Sequence, residues 1–247
     1  MFKRAKGMNY RGFFRRIHEA HAFEWYLEIG CRNGRILDLV QGKTIGVDPV
    51  FRLEKPLLGR KPQLHLFQET SDSFFAANRL EALGARPTIA FIDGMHLFEY
   101  ALRDILNTEA HADPDGVIFV HDCCPFSIEM TTRDLHNLPD IWTGDVWKLI
   151  PILSEYRPDL KVSVLDARPT GLLAITGLKP GTVQPEIDLF EIIERYEAID
   201  LDSFGLDNFA DHFEFTDAQS VLEEDQLGLS SLAGVGLTAP EQDLVTP

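Results

Sequence analysis

Asp93-Gly94-Met95-His96 and His121-Asp122 each close a short apolar run, so their carboxylates can meet in one cleft. Two convergent carboxylates repel unless a proton or a metal ion sits between them. Upstream, Trp25-Tyr26-Leu27-Glu28-Ile29 breaks into the glycine turn Gly30-Cys31-Arg32-Asn33-Gly34, and Asp48 closes the next apolar run, Thr44-Ile45-Gly46-Val47. Glycines let a backbone turn sharply and approach a ligand closely. An acid ending the second strand can accept hydrogen bonds from two ribose hydroxyls. A strand–turn–helix–strand unit of this kind holds an adenosine-containing ligand.

The glycine spacing is G-x-x-x-G, not the G-x-G-x-x-G that lays a helix N-terminus on a pyrophosphate. Glu28, two residues before the first glycine, would repel a pyrophosphate and suits a cationic amino-acid group. The segment resembles the first motif of class I S-adenosylmethionine (SAM) methyltransferases, E/D-x-G-x-G-x-G, with Arg32 at the middle glycine and hence a less open turn. The resemblance implies a set of cofactor contacts. Glu28 meets the amino end of SAM through the turn or a water. Gly30, Cys31, Arg32, Asn33 and Gly34 form the turn, Asp48 holds the ribose, Ser71 or Asp72 borders the adenine, and Asp93 lines the same pocket.

Phe91-Ile92-Asp93-Gly94-Met95-His96 together with Val120-His121-Asp122 resembles the metal-dependent O-methyltransferases, catechol-type enzymes and more closely those acting on sugars of macrolides. That resemblance implies a divalent ion, Mg²⁺ or Mn²⁺, on Asp93 and Asp122. It also implies a general base three residues beyond the first acid, at His96, with Asp93 beside it in catalysis. His121 is a departure, because Mg²⁺ prefers oxygen ligands to imidazole. Either His121 faces elsewhere, the metal is softer than Mg²⁺, or there is none. A bland reading stands beside each residue: Asp93-Gly94 as a turn, His96 as a helix-start residue, His121 as structural, Cys123 and Cys124 as small packing groups. Trp142-Thr143-Gly144-Asp145-Val146-Trp147-Lys148 would form the cleft rim, with an acceptor ring on Trp142 and Lys148 reaching a carboxylate or phosphate. The alternative for Trp147 is core.

The elements that must position these residues follow from the pattern. Strands are predicted at 25–29, 43–47, 63–67, 88–92 and 116–121, and helices at 9–22, 34–40, 72–83 and 98–111, with Ser71 and Asp72 as N-cap and Gly84 as C-cap of the third. A helix begins at Thr143 or Asp145 and runs through Tyr156. Lys161–Asp166 and Gly171–Thr176 are separated by only Ala167-Arg168-Pro169-Thr170, too short for a parallel crossover, so they form a hairpin. The expected fold is α/β and Rossmann-like: a seven-stranded, mostly parallel sheet with an antiparallel C-terminal hairpin and helices on both faces. The closing hairpin is unlike a nicotinamide-binding fold and is what class I methyltransferases show. The resemblance spans about residues 24 to 178.

The division expected is an N-terminal arm and helix over 1–23, a SAM-binding domain over 24–180, an acidic helical extension over 181–222 with an amphipathic helix from Ile187, and a disordered tail over 223–247 whose removal leaves the fold intact. The formal charge is −16, yet from Gly181 onward sixteen acids face only Arg195, so the preceding residues are nearly neutral. The first sixteen residues hold six bases and no acid. Neither part has the basic, aromatic-studded face of a nucleic-acid binder. No apolar run spans a membrane, no signal peptide stands at the start, and three cysteines without a C-x-x-C pair fit a reducing cytoplasm. The expected partner is a small-molecule or saccharide acceptor, and a homo-oligomer is compatible. Two rival readings remain: a nicotinamide-dependent oxidoreductase, and a non-catalytic SAM-binding or scaffold protein.

Overall fold

The structure is a computed structural model that describes residues 1–181 and 188–234. Asn9 caps the first helix, α1 (Tyr10–Ala20), its side chain accepting the Arg11 amide, and Phe13, Phe14 and Ile17 fall on one buried face. β1 (Trp25–Ile29), β2 (Lys43–Val47) and β3 (Leu64–Phe67) follow. The helix expected at 34–40 is only a 3-10 turn at Leu37–Leu39. Gly34 stays in the turn at φ +73°, and Gln41-Gly42 already leads into β2, leaving too few residues for an α-helix.

The helix expected over 72–83 is two, α2 (Ser71–Ala76) and α3 (Arg79–Leu83), broken where Asn78 takes φ +49°. The cap of α2 is Thr70, which accepts the Ser73 amide, not Ser71 or Asp72; Gly84 ends α3 in the left-handed conformation. β4 (Ile89–Ile92), α4 (Phe98–His111) and β5 (Val117–His121) complete the parallel part. A 3-10 turn at Val146–Lys148 leads into α5 (Leu149–Tyr156). Pro151 sits in the first turn of α5, where no intrahelical N–H is needed. β6 (Lys161–Leu165) and β7 (Leu172–Thr176) pair antiparallel, and β7 pairs antiparallel with β5.

The chain then adds α6 (Leu189–Tyr196), α7 (Leu201–Phe204), α8 (Leu206–Asp211), β8 (Phe215–Thr216) and α9 (Ala218–Glu223). β8 lies parallel to β6, so the sheet has eight strands in the order β3-β2-β1-β4-β5-β7-β6-β8, one more than the pattern predicts. The acidic extension is therefore built into the sheet. Ile187, expected in the amphipathic helix, lies outside the described residues.

Side chains alternate across β1 into two cores. Trp25, Leu27 and Ile29 face α2 to α5 and the Phe209–Phe213 region, whereas Tyr26 faces α1 and α9. Leu229 (2% exposed) and Leu232 join the second core, and Phe23 bridges Ala233. The expectation of a disordered tail from 223 thus fails over 224–234. Two leucines three residues apart among Gly, Ser and acids are too sparse for a periodicity signal, yet they bury. Residues 235–247 lie outside the described set. No helix among the described residues is long and apolar enough to cross a membrane.

Two stability tests follow from this packing. Leu229→Ala removes a buried leucine and should cost about 2–4 kcal/mol in denaturant unfolding; unchanged stability would return 224–234 to the tail. Asp104, 2% exposed on α4, has its pKa raised to about 7 by burial, with Ser71 and Arg103 opposing and Asp72 adding. Its unfolded pKa is about 4, so the folded state alone holds the proton between pH about 4 and 7. Stability therefore falls as pH rises through that window, by on the order of a few kcal/mol. Asp104→Asn should be more stable than the parent at pH about 8 and lose that advantage near pH 4. Equal stabilities at both pH values would show that Asp104 is not buried as described.

Candidate active site

β1 and β4 are neighbours, although β2 and β3 intervene in sequence, so the chain reverses direction across the sheet between them. Open α/β sheets bind ligands at such a switch point, outside the carboxyl ends of the strands. Gly30, Asp93 and His121-Asp122 stand there, ending β1, β4 and β5. The Asp93 amide donates to the Ile29 carbonyl at 2.8 Å, which ties the two turns together.

Asp93, His96 and Asp122 each offer a ligand atom, all within 4.8 Å of one another. His96 Nε2 is 3.4 Å from Asp93 Oδ1, and Nδ1 is 3.3 Å from Asp122 Oδ2 and 2.9 Å from the Trp142 carbonyl. Burial opposes charge on His96, but the bond to Asp93 and the charge of Asp122 raise its pKa to about 9. Burial would raise Asp93, yet His121 and then His96 hold its carboxyl well below the usual range. Asp122 adopts φ +62°, uncommon for a non-glycine residue.

His121, named from sequence as a metal ligand, is not part of the three-residue set. Its Nδ1 lies 3.2 Å from Asp93 Oδ1 and 3.4 Å from Asp122 Oδ1, and its Nε2 lies 3.4 Å from Thr170 Oγ1. With both nitrogens engaged and its ring 4.0 Å from that of Tyr10, it serves as a counter-charge and prop for the two acids. The imidazole within that set is that of His96, which the sequence reading named as a general base and not as a ligand.

The turn after β1 differs in detail from the sequence expectation. Gly30 (φ +88°) and Gly34 (φ +73°) do take left-handed backbone, but a Cβ on Gly30 would overlap the Asp93–Gly94 backbone, and one on Gly34 would meet Leu57. These glycines make room for protein packing. Arg32 holds φ +39° with its side chain exposed, so arginine occupies the left-handed position of the middle residue. The Cys31 thiol turns inward to the Glu28 carbonyl at 3.2 Å, and Asn33 accepts the Arg35 amide at 3.3 Å. Glu28 is buried and accepts the Tyr26 hydroxyl at 2.9 Å. Burial pushes its pKa well up despite that bond, and Asp93 and Asp48 add to the rise. Asp48 accepts the Arg32 amide on Oδ2 and the Val50 amide on Oδ1, both at 2.7 Å, leaving each oxygen one further lone pair. Asp72 pairs with Arg103 at 3.1 Å, so its side chain is committed to α4.

At the rim, Trp142 stacks on His96 (centroids 5.0 Å apart) while its Nε1 donates to the Thr132 carbonyl. Lys148 does not reach the cleft. It is buried against Asp145 at 2.8 Å, and Arg133 binds Asp145 and Glu99, each at 2.6 Å. Asp145 also accepts the Phe98 amide at the start of α4. The density of unusual residues at 142–148 is thus a brace behind His96, and Trp147 is core against Phe204 and Phe209. Sequence reasoning missed Thr170, whose hydroxyl donates to Asp122 Oδ1 at 2.6 Å, and Tyr10. A threonine in a four-residue turn carries no signal by itself; Tyr10 was visible only as part of a helix face. Cys123 and Cys124 are fully buried beside Thr170, the Cys124 amide donating to its carbonyl.

Residues 20–123 match the family described as Methyltransferase domain. No curated protein matches the chain. Among solved structures, cofactor-bound Rv0187 from MTB is similar with a TM-score of 0.50 at 15% identity, over 71% of this chain and 83% of that one. The O-methyltransferase from Bacillus cereus in complex with SAH gives a TM-score of 0.48 at 12% identity, over 69% and 80%. MycE methyltransferase from the mycinamycin biosynthetic pathway, in complex with Mg, SAH and mycinamycin VI, gives 0.44 at 13% identity, over 76% of this chain and 54% of that one. The family match falls on the glycine turn, Asp48, Asp93, His96 and Asp122: residues 20–123 are similar to a methyltransferase domain, and the sheet carries the order and closing antiparallel hairpin expected of the class I fold.

Proposed function

We propose that the chain transfers the methyl group of SAM to an oxygen of a small-molecule acceptor in the cytoplasm, where its three buried free cysteines stay reduced. The observation that carries this reading is the meeting of Asp93, His96 and Asp122 beside the Gly30 turn. Asp48 supplies its two remaining lone pairs to the ribose hydroxyls. Glu28, whose pKa burial raises, is stabilised as a carboxylate by the approach of the SAM ammonium, a charge-assisted contact that favours a cationic ligand. Trp142 offers a flat face for a sugar or aromatic ring next to the imidazole it stacks on. Adenine would lie along the β3 end, with Asp72 supporting it through α4 instead of touching it.

Methyl transfer from a sulfonium is a displacement that needs acceptor oxygen, methyl carbon and sulfur in line, so alignment is the first contribution of the cleft. The second is removal of the acceptor's proton. His96 stands where it can take that proton, but between two acids it is itself protonated at neutral pH. It becomes a base either at higher pH or when another cation neutralises the acids. The carboxylates of Asp93 and Asp122, beside the His96 imidazole, are an oxygen donor pair that suits a divalent ion, Mg²⁺ or Mn²⁺. Asp93 and Asp122 would hold such an ion, whose chemistry is to lower the pKa of the acceptor hydroxyl. His121 and Thr170 keep the two acids in place in either case.

Calorimetry with S-adenosylhomocysteine should show binding, weakened in Asp48→Ala by roughly 1.5–3 kcal/mol for each charge-assisted hydrogen bond lost. Unchanged affinity in a folded Asp48→Ala protein would remove Asp48 from the cofactor site. For the transfer step, His96→Ala should lower turnover by roughly 10²–10⁴-fold with S-adenosylhomocysteine affinity intact. Without metal, the rate should rise with pH through about 9 as the imidazole loses its proton, and Mn²⁺ should move that rise to lower pH. A metal-independent profile that is flat across this range would exclude His96 from proton transfer.

A further inference from the structure

A cleft of about 580 Å³ opens between the first residues of the chain, the end of β6 and β8, lined by Phe2, Lys3, Arg4, Lys6, Asp166 and Phe215. That volume lies in the range of small-ligand pockets, about 300–1,000 Å³. Its lining combines three cations, two aromatic rings and one acid. The acid is partly engaged by the arm itself, since Asp166 Oδ1 accepts the Lys6 amide at 2.5 Å and the Gly7 amide at 2.8 Å. Lys3 is tied to Glu214 at 3.0 Å and to backbone carbonyls. Arg4 and Lys6 are exposed and have no carboxylate partner among the described residues. Arg4 gives one bond to the Phe126 carbonyl at 2.9 Å and lies over the Phe126 ring, which fixes its plane and leaves most of its donors available. Arg168 nearby gives its Nε to the Gly7 carbonyl and is likewise without an acid.

Arg79, Arg103, Arg133, Lys148 and Arg157 are each paired with carboxylates. The cleft lies at the same end of the sheet as the candidate active site, because β6 and β8 run in the same direction as β5 and Asp166 follows β6 as Asp122 follows β5. Phe126 lies four residues past Asp122, and Asp166 lies four before Thr170, which bonds Asp122. The N-terminal arm that forms the other wall continues into Tyr10, against His121.

We propose that this cleft is a subsite for an anionic group, phosphate or carboxylate, attached to an apolar or aromatic body, and that it holds the far end of the methyl acceptor while the acceptor hydroxyl faces His96. A guanidinium held flat beside an ammonium suits such an anion, and Phe2 and Phe215 supply the apolar walls. The assignment to the acceptor rests on the methyltransferase reading.

The test uses the full chain with phenyl phosphate, benzoate and phenol as probes, and S-adenosylhomocysteine as a separate arm, all by calorimetry. Phenyl phosphate or benzoate should bind roughly tenfold or more tightly than phenol, with affinity falling as salt is raised; which anion binds better identifies the group. The exposed double variant Arg4→Gln with Lys6→Gln should lose roughly tenfold or more of that affinity, equivalent to one charge-assisted hydrogen bond, with S-adenosylhomocysteine binding and melting temperature unchanged. Phenol binding as well as the anions, or full anion affinity in the double variant, would overturn the proposal. Anion binding that depends on Arg4 and Lys6 in a chain that ignores S-adenosylhomocysteine would keep the subsite and overturn the methyltransferase reading instead.

Discussion

Asp93 and Asp122 end neighbouring strands, and the repulsion between their carboxylates is the constraint around which the rest of the site is arranged. Like charges at such close quarters raise each other's pKa unless something offsets them. Here the offset comes from two imidazoles and a hydroxyl. His121 lies behind both acids, His96 lies in front of both, and Thr170 donates to Asp122 from a buried position. The result holds the two carboxylates and the His96 imidazole together, with ligand atoms within 4.8 Å of one another, in an arrangement set before any ligand arrives.

Each of those three partners is held from elsewhere in the fold. His121 is fixed by the ring of Tyr10 on α1, and Thr170 by its packing over Cys123 and Cys124. His96 is fixed by Trp142 and, one layer further back, by the Asp145 brace that joins Arg133, Lys148 and the start of α4. A buried ion network of this kind contributes little net stability over apolar packing. Its contribution here is geometric: Gly144 carries no Cβ, and one would overlap the His96 carbonyl, so the segment from Trp142 to Asp145 closes tightly on the histidine.

The fold was legible where apolar runs and turn residues agree. All five predicted parallel strands and the closing hairpin stand within a residue or so of their expected places, and α4 runs over Phe98–His111 as the pattern implies. The pattern misled where left-handed backbone interrupts the hydrophobic spacing, as at Gly34, which stays in the turn where a helix was expected to start, and at Asn78, which splits one expected helix in two. It also missed β8, because two residues at a sheet edge make no alternation. In the site, residues that end strands were found because topology alone places them. His121 and His96 could not be told apart by type; only the neighbouring Tyr10, Thr170 and Trp142 rings and hydroxyl decide which imidazole faces the cleft. The role of Lys148 could not be read either, since a lysine three residues after an aspartate is equally a rim charge or a buried pair.

The N-terminal arm carries one further consequence. Lys3 donates to the carbonyls of Ala210 and Phe213, 207 and 210 positions away in sequence, and the second core joins α1 to Leu229 and Leu232. The props of the reaction centre therefore belong to contacts between the two ends of the described chain, among the most non-local in the molecule. Loop closure on that scale comes late in folding and is slow to form. Tyr10 and α1 rest on Phe91, Phe119 and His121 of the parallel strands on one side and on the C-terminal segment on the other. The support behind His121 is thus a long-range part of the fold, in which one core ties the helix that carries Tyr10 to residues more than two hundred positions away.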